Sequence, residues 1–384
     1  MSAPRVPVSE TGRPPRLLIV GTNRGGGGIE SYLVTLATAL VDAGAEVGVA
    51  AWPDEPIHRA LAEDGRVRLW PVRFQRRNDR AATREVMRIA GEFRPDWMVG
   101  MYLREFWPLA FVATVRRIPL VLFEHVERRV HPVMRNLLPP FFERMLLPSD
   151  YLRRHVARIG FPARKLGILH NPIDTTRFRP DCPLRAATRA EHGFGDGDVV
   201  IGFVGRIEPS KGVHTLAEAL RIAMAERPDV RALWVGHGVS ADGLRAAIDA
   251  SPYADRHRWV PWTADVRPSL AAMDVLALPS TGKETFGRVL VEAQACGVPV
   301  LGSRLGGIPE AMRDGVTGLL CEPGDAASWA QGIVALAADP GRREEMGRQG
   351  LAFVHAEFDS RVVANRFLAA LRTGLHALDA PDPA

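Results

Sequence analysis

The sequence predicts an α/β protein made of two parallel sheets, each wrapped by helices, and three observations carry that expectation. Short apolar runs alternate with helix-like segments through most of the chain. The alternation pauses once, from Asn171-Pro172-Ile173-Asp174 to Arg179-Pro180-Asp181-Cys182-Pro183, where prolines and turn formers accumulate, and then it resumes. A chain of 384 residues, 46% hydrophobic and 24% charged, is long enough and apolar enough to bury two cores of ordinary size.

The elements read as follows. Leu17-Leu18-Ile19-Val20 is a buried strand, residues 21–28 a glycine-rich turn, and residues 29–43 a helix that Gly44 ends. Further strands are expected at 47–51, 97–101 and 120–123. The pause is read as the linker, which puts a first domain at 1–178 and a second at 179–358. In the second, strand 199–204, helix 214–226, strands 232–235 and 275–278, helix 286–296 and strand 299–302 follow in order. Residues 342–378 read as two consecutive helices divided near Phe358-Asp359. No strand follows the last of them, so a C-terminal helix at 359–378 is expected to pack back on the first domain.

Composition excludes several classes. The longest apolar stretch, 107–123, is broken by Arg116-Arg117 and does not reach bilayer-spanning length, and the polar, proline-rich start does not follow a signal-peptide pattern. A cytoplasmic protein is expected. Cys182, Cys296 and Cys321 lack metal-ligand spacing and suggest no disulfide framework, and no aspartate pair of the metal-binding kind stands out. The net charge of +5 is uneven: residues 1–178 hold 27 basic and 18 acidic side chains, the remainder 22 and 26. Arginines cluster at Arg73, Arg76-Arg77, Arg80, Arg116-Arg117, Arg128-Arg129 and Arg153-Arg154. That suits a phosphorylated acceptor or peripheral contact with an acidic membrane at its inner face; a merely solvated basic face is the plainer reading. No recognition motif accompanies the charge, so nucleic acid is not an expected partner. Only Lys165, Lys211 and Lys283 are lysines among the 49 basic residues, so a retained lysine is a candidate for a role that needs a compact ammonium.

Two segments carry the chemistry. In Ile201-Gly202-Phe203-Val204-Gly205-Arg206-Ile207-Glu208-Pro209-Ser210-Lys211-Gly212, a strand end, glycines, an arginine and a lysine stand directly before a helix. The helix-start amides attract anions, Arg206 can make a forked phosphate contact and Lys211 adds a point charge. An ordinary strand-to-helix turn with surface cations would look similar. The second segment is Glu284-Thr285-Phe286-Gly287-Arg288-Val289-Leu290-Val291-Glu292. Were it mainly helical, its two glutamates would stand about 12 Å apart along the axis, comparable to the span from sugar to ribose across a diphosphate. Glu292 lies among apolar neighbours, where a carboxylate needs a hydrogen-bonding partner such as a ribose hydroxyl; a structural cap or ion pair is the alternative. The run Gly25 to Gly28 opens a helix and its amides could face a phosphate or an acceptor, or form only a flexible turn. Its spacing does not give the Gly-x-Gly-x-x-Gly of a dinucleotide site. His125 follows an apolar strand and belongs at its carboxyl end, where open α/β sheets place ligands.

Together these segments resemble the retaining family 4 glycosyltransferases (glycosyl transferases group 1). The matching pieces are Gly27-Gly28-Ile29-Glu30, Asn171-Pro172-Ile173-Asp174, the Gly205-Arg206 to Lys211-Gly212 segment and the Glu284-x7-Glu292 motif. Pro172 stands where the family often has glycine, and the first turn has four glycines rather than two. The resemblance implies the GT-B fold, two Rossmann-like domains facing each other across a cleft. It implies a catalytic set of His125, Arg206, Lys211 and Glu284. It also implies donor contacts from Gly27, Gly28, Val260, Pro261, Thr285, Phe286, Gly287, Arg288 and Glu292, with Arg206 and Lys211 on the diphosphate, Glu284 on the sugar and Glu292 on the ribose. The implied activity is retaining transfer of a sugar from a UDP-sugar or GDP-mannose to a hydroxyl of a glycan, glycolipid or small molecule, as in cell-envelope glycan synthesis. No cofactor and no metal are expected. A sugar-nucleotide epimerase on the same scaffold and a catalytically inactive nucleotide-sugar-binding protein are the alternatives.

Overall fold

The computed structural model describes residues 13–24, 27–76 and 79–379, so Gly25 and Gly26 of the first turn and Arg77 of the basic clusters lie outside the described residues. Packing divides the chain into two units: Met1–Pro172 with Phe358–Ala384, and Ile173–Glu357. The first division falls at Pro172–Ile173 rather than at 178–179. The Asp174 carboxylate accepts from the Thr176 and Arg177 amides, at 3.0 and 3.2 Å, and folds that stretch into a turn of the second unit.

The first unit runs β1 (Arg16–Gly21), α1 (Gly28–Asp42), β2 (Glu46–Ala51), α2 (Pro56–Asp64), β3 (Arg68–Pro71), α3 (Arg80–Phe93), β4 (Trp97–Gly100), α4 (Phe106–Arg116), β5 (Leu120–Phe123), α5 (Pro132–Leu137), β6 (Arg144–Leu147), α6 (Asp150–Arg158) and β7 (Leu166–Ile168). The strands form one sheet in the order β3-β2-β1-β4-β5-β6-β7, every pair parallel. Both faces are covered, which is why β1 reads as an unbroken apolar run rather than an alternating one. Leu17 and Ile19 pack into one core layer with α1, Leu18 and Val20 into the other with α3 and α4. Helix starts are fixed locally: Asp79 accepts from the Ala82 amide at 3.1 Å to cap α3, and Ser149 from Leu152 at 3.2 Å to cap α6.

The second unit continues with α7 (Cys182–Glu191), β8 (Val199–Val204), α8 (Val213–Glu226), β9 (Val230–Val235), α9 (Ala241–Asp249), β10 (His257–Val260), α10 (Arg267–Ala272), β11 (Val275–Leu278), α11 (Arg288–Ala295), β12 (Val300–Ser303), β13 (Gly318–Cys321), α12 (Ala326–Ala338) and α13 (Pro340–Glu357). Its sheet is also parallel throughout, in the order β10-β9-β8-β11-β12-β13. Asp274 ties its elements together: the carboxylate accepts from Arg185 of α7 at 2.6 Å, from Arg189 at 3.0 Å and from the amide of Val200 in β8 at 2.7 Å. The last helix, α14 (Ser360–Thr373), belongs to the first unit. Its Val363, Phe367 and Leu371 share a core layer with Leu17, Ile19 and α1, and Phe367 meets the Phe123 ring edge-on at 5.9 Å.

Candidate active site

In a parallel sheet all strands end on the same edge, and a crevice opens where neighbouring strands send their chains in opposite directions. In the second unit this occurs between β8, whose successors β9 and β10 lie to one side, and β11, whose successors β12 and β13 lie to the other. The two motifs of the sequence are the loops that leave these two strands.

The loops are held backbone to backbone. Ser210 carbonyl accepts from the amides of Thr281 and Gly282, at 3.0 and 2.8 Å. Gly212, at φ +66°, lies so close to the β11 loop that a Cβ there would sit 1.8 Å from the Pro279 carbonyl oxygen. This brings Lys211 and Glu284 together: Nζ donates to Oε2 at 2.7 Å, and Ser280 Oγ lies 3.3 Å from the same oxygen. Both charged side chains keep some exposure, 19% and 16%. Helix α8 starts immediately after Lys211 and α11 at Arg288, so two positive helix ends stand beside the crevice. Arg206 follows β8 as expected but points into solvent, 70% exposed, with Glu208 at 3.3 Å.

The second motif is built differently from its expectation. Only Arg288–Ala295 is helical, so the axial separation of about 12 Å does not apply. Gly287, at φ +92°, caps α11, and the stretch before it is non-helical. Gly306 and Gly307 back that stretch: Gly307 donates to the Glu284 carbonyl at 3.0 Å, and Cβ atoms at the two glycines would sit 2.2 Å from the Glu284 and Thr285 carbonyls. Phe286 is buried beneath. Glu292 is half-buried rather than sealed in, and Arg288 one turn earlier donates Nε to it at 2.7 Å, which offsets the cost of the carboxylate.

The neighbouring loops complete the edge. Gly236 and Gly238, after β9, press against the Gly205 and Ile207 carbonyls, where Cβ atoms would come within 2.0 and 2.2 Å. Val260 ends β10, and its carbonyl accepts from Gly236 at 3.0 Å. Pro261 has no N–H, so it brings only a carbonyl and a ring to any ligand. Trp262 beyond it is 58% exposed and meets His237 edge-on at 6.4 Å. Nothing in the sequence alone singled out Gly306-Gly307, Gly236, Gly238 or Ser280; only Gly236 carried a signal, a glycine directly after the predicted strand 232–235.

The first unit has its own crevice, between β1 and β4. Glu105 is buried completely and accepts through one oxygen from the Thr22 amide and hydroxyl, at 2.7 and 2.5 Å. Burial pushes its carboxyl up to about 7, against the opposing pull of the Thr22 hydrogen bonds. Its other oxygen, and Nε of the neighbouring Arg104, find no hydrogen-bond partner. Arg104 donates to the Thr22 carbonyl and, at 3.0 Å, to Asn23 Oδ1. Asn23 and Tyr102 in turn donate to Glu30, at 2.7 and 3.0 Å. Burial, then the charge of Glu30, raises the Tyr102 phenol far above its ordinary value. Gly27 caps α1, and Gly28 begins it with nothing within 4 Å of a would-be Cβ. His125 stands at the carboxyl end of β5, 9% exposed, edge-on to Tyr32 at 4.6 Å and stacked on Phe123 at 6.0 Å. Glu124 accepts from the His125 and Val126 amides and meets Arg128 at 3.1 Å.

Burial pushes the thiols of Cys296 and Cys321 up to about 12, which disfavours these two as nucleophiles. Among the described residues no cluster of His, Cys, Asp and Glu fits a metal ion, and no helix is long and apolar enough to cross a membrane.

Comparison with known proteins follows this division of the chain. The family model for Glycosyltransferase Family 4 matches residues 26–177, and that for Glycosyl transferases group 1 matches residues 185–352. A D-inositol 3-phosphate glycosyltransferase of Segniliparus rotundus is 38% identical over 221 residues, 55% of this chain and 48% of that protein. A GDP-mannose-dependent monoacylated alpha-(1-6)-phosphatidylinositol monomannoside mannosyltransferase of Corynebacterium glutamicum is 35% identical over 216 residues, 53% of this chain and 55% of that protein. The chain spans about half the length of these curated relatives. In fold it is similar to the Anabaena protein HepE, crystallised in complex with UDP: TM-score 0.80, 24% identity, 93% of this chain and 99% of that one. Between them the two family models take in both sheets and both crevice loops, and the chain belongs to the group 1, family 4 glycosyltransferases of the GT-B fold.

Proposed function

We propose that this protein transfers a sugar from a nucleoside-diphosphate sugar to an acceptor hydroxyl with retention of anomeric configuration. The observation that carries the reading is the contact between Lys211 and Glu284 at the crevice of the second sheet, where a cation and a carboxylate stand together, partly exposed, beside two helix starts. In this reading the diphosphate lies against Lys211, Arg206 and the amides at the head of α11, which stabilise the charge that develops as the phosphate departs. Glu284, with the non-helical backbone through Thr285, Phe286 and Gly287, holds the sugar. Glu292 and Arg288 hold the ribose, and the loop at Val260 and Pro261 meets the base. Gly27, Gly28 and His125, at the strand ends of the first unit, are assigned to the acceptor. No metal takes part. UDP-sugars and GDP-mannose are both candidate donors, since HepE was crystallised with UDP and the Corynebacterium relative is named for GDP-mannose. The arginine-rich first unit favours an acceptor that carries phosphate; one relative is named for D-inositol 3-phosphate and another for a phosphatidylinositol monomannoside.

The test is a thermal-shift screen of nucleotide sugars followed by turnover of the best binder with and without acceptor. Acceptor-dependent release of nucleoside diphosphate with retained configuration is expected. A donor epimerised without acceptor would assign the protein to the epimerases, binding without turnover would leave only a binding protein, and no stabilisation by any nucleotide sugar would sink the reading.

A further inference from the structure

Among the described residues Trp262 is the one tryptophan that stands out in solvent, 58% exposed. A single exposed apolar side chain is ordinary, so its place has to carry the argument. It lies in the loop that leaves β10, on the same sheet edge as the loop of Lys211 that leaves β8, with β9 between them. Neighbouring strands stand about 4.8 Å apart, so the two loops start about 10 Å from each other, the reach of a ribose and base beyond a diphosphate. The ground between them is low, because the loop after β9 puts Gly236 and Gly238, which have no side chains, against the Gly205 and Ile207 carbonyls.

The Trp262 and His237 rings form a corner. Their centroids are 6.4 Å apart and their planes 84° from each other, so a flat ring laid on the indole meets the imidazole at its edge. His237 is exposed as well.

The rest of the β10 loop has little left with which to read a base by hydrogen bonds. Pro261, the first residue past the strand, has no N–H. The Thr263 hydroxyl donates to the Asp265 carbonyl and accepts from the Asp265 amide, both at 3.2 Å. The Asp265 carboxylate is taken by Arg267, at 2.8 and 2.6 Å. Side-chain polar groups that could tell one base edge from another are thus spent within the loop, and what remains is an open aromatic face. Such a face discriminates by the area it covers, and a two-ring purine covers more of an indole than the single ring of uracil does.

We propose that Trp262, with His237 at the edge of the base, is the stacking platform of the donor site and selects a purine nucleoside diphosphate over a uridine one. This rests on the donor site proposed above and narrows its two candidate nucleotides to one class.

The experiment is calorimetry of GDP, ADP, UDP and inorganic pyrophosphate on the full chain and on three variants. The parent should bind GDP and ADP each about tenfold more tightly than UDP. Trp262→Ala should lower purine affinity about tenfold and bring the three nucleotides within about threefold of one another, with pyrophosphate unchanged. His237→Ala should cost GDP and ADP about threefold. Both side chains already stand in water, so melting curves should not move; were Trp262→Ala to melt early, His237→Ala decides. UDP binding as tightly as the purines would overturn the proposal, and so would a purine preference that survives Trp262→Ala, or a preference for guanosine alone, which would mean readout by hydrogen bonds. In each of those cases the donor site still stands if Lys211→Ala weakens all four ligands alike. Binding of none of the four, or binding that Lys211→Ala leaves untouched, would remove the donor site and the platform with it.

Discussion

The two units carry the same topological feature and use it in opposite ways. In the second, the crevice between β8 and β11 ends in an ammonium and a carboxylate that remain 19% and 16% exposed, each within reach of a ligand. In the first, the crevice between β1 and β4 ends in Glu105, which water does not reach, with one oxygen spent on Thr22 and the other without a partner. The first arrangement can change partners when a charged ligand arrives. The second is committed to holding a turn, and its unmatched oxygen is tolerable because burial favours the protonated, neutral carboxyl. Similar wiring thus leaves a partly exposed charge pair in one place and a buried clamp in the other.

The comparison can be broken at the second crevice first, where the largest effect is expected. Lys211→Ala removes the ammonium from the proposed leaving-group site, and kcat should fall about 100- to 1000-fold, as when a single charge-stabilising donor is lost elsewhere. Steady-state rates at saturating donor would measure this; full turnover would show that the exposed charge pair does not serve the reaction.

The clamp should respond to pH instead. Glu105 takes up its proton more readily in the folded state than in the unfolded chain, so its contribution to stability is complete below the unfolded value near 4.5 and is lost as pH rises through about 7. Across that window the loss amounts to about 3 kcal/mol. Denaturant midpoints between pH 5 and 8 should slope downward for the parent and much less for Glu105→Gln. Parallel slopes would mean that Glu105 is ionised in the folded state throughout.

Smaller still is the expected effect at Glu292. Glu292→Ala should weaken nucleoside-diphosphate affinity about tenfold, or about 1.4 kcal/mol, read by calorimetry, while leaving the fold intact because Arg288 remains partly exposed. An unchanged affinity would confine Glu292 to its ion pair with Arg288. The smallest expected effect is that of a chelator: turnover in EDTA should match turnover without it, and a loss restored by a divalent cation would end the proposal of metal-independent transfer.

The fold class was legible because buried parallel strands are written as continuous apolar runs, and residues 120–123, 199–204 and 275–278 were read with the bounds that the strands have. Of the strands that went unread, β3, β6 and β10 carry arginine and β7 has only three residues. In β6, Arg144 is buried among carbonyl partners from Arg164 and Leu166 and an ion pair with Asp379, none of which is visible from the local pattern. Strand β10 opens on His257, buried neutral against the Trp234 indole N–H, and burial holds its imidazole down near 4. At the site, the residue types were readable and their company was not. Lys211 and Glu284 stand 73 positions apart and meet because β8 and β11 are neighbours. The helix around Glu292 was expected too early, since Gly287 with φ +92° delays it and Gly306-Gly307, from a third loop, press against the Glu284 and Thr285 carbonyls of the stretch before it.

The return of α14 to the first unit bears on how the chain is made. A ribosome adding about 5–20 residues per second needs roughly ten to forty seconds to make the second unit after the first has emerged. Throughout that interval the layer of Leu17, Ile19 and Phe123 lacks the helix that covers it, whereas residues 173–357 are contiguous and can close as soon as they leave the tunnel. The part synthesised first is therefore the part completed last, and a nascent chain stalled before residue 360 would present an open greasy sheet to whatever chaperones are at hand.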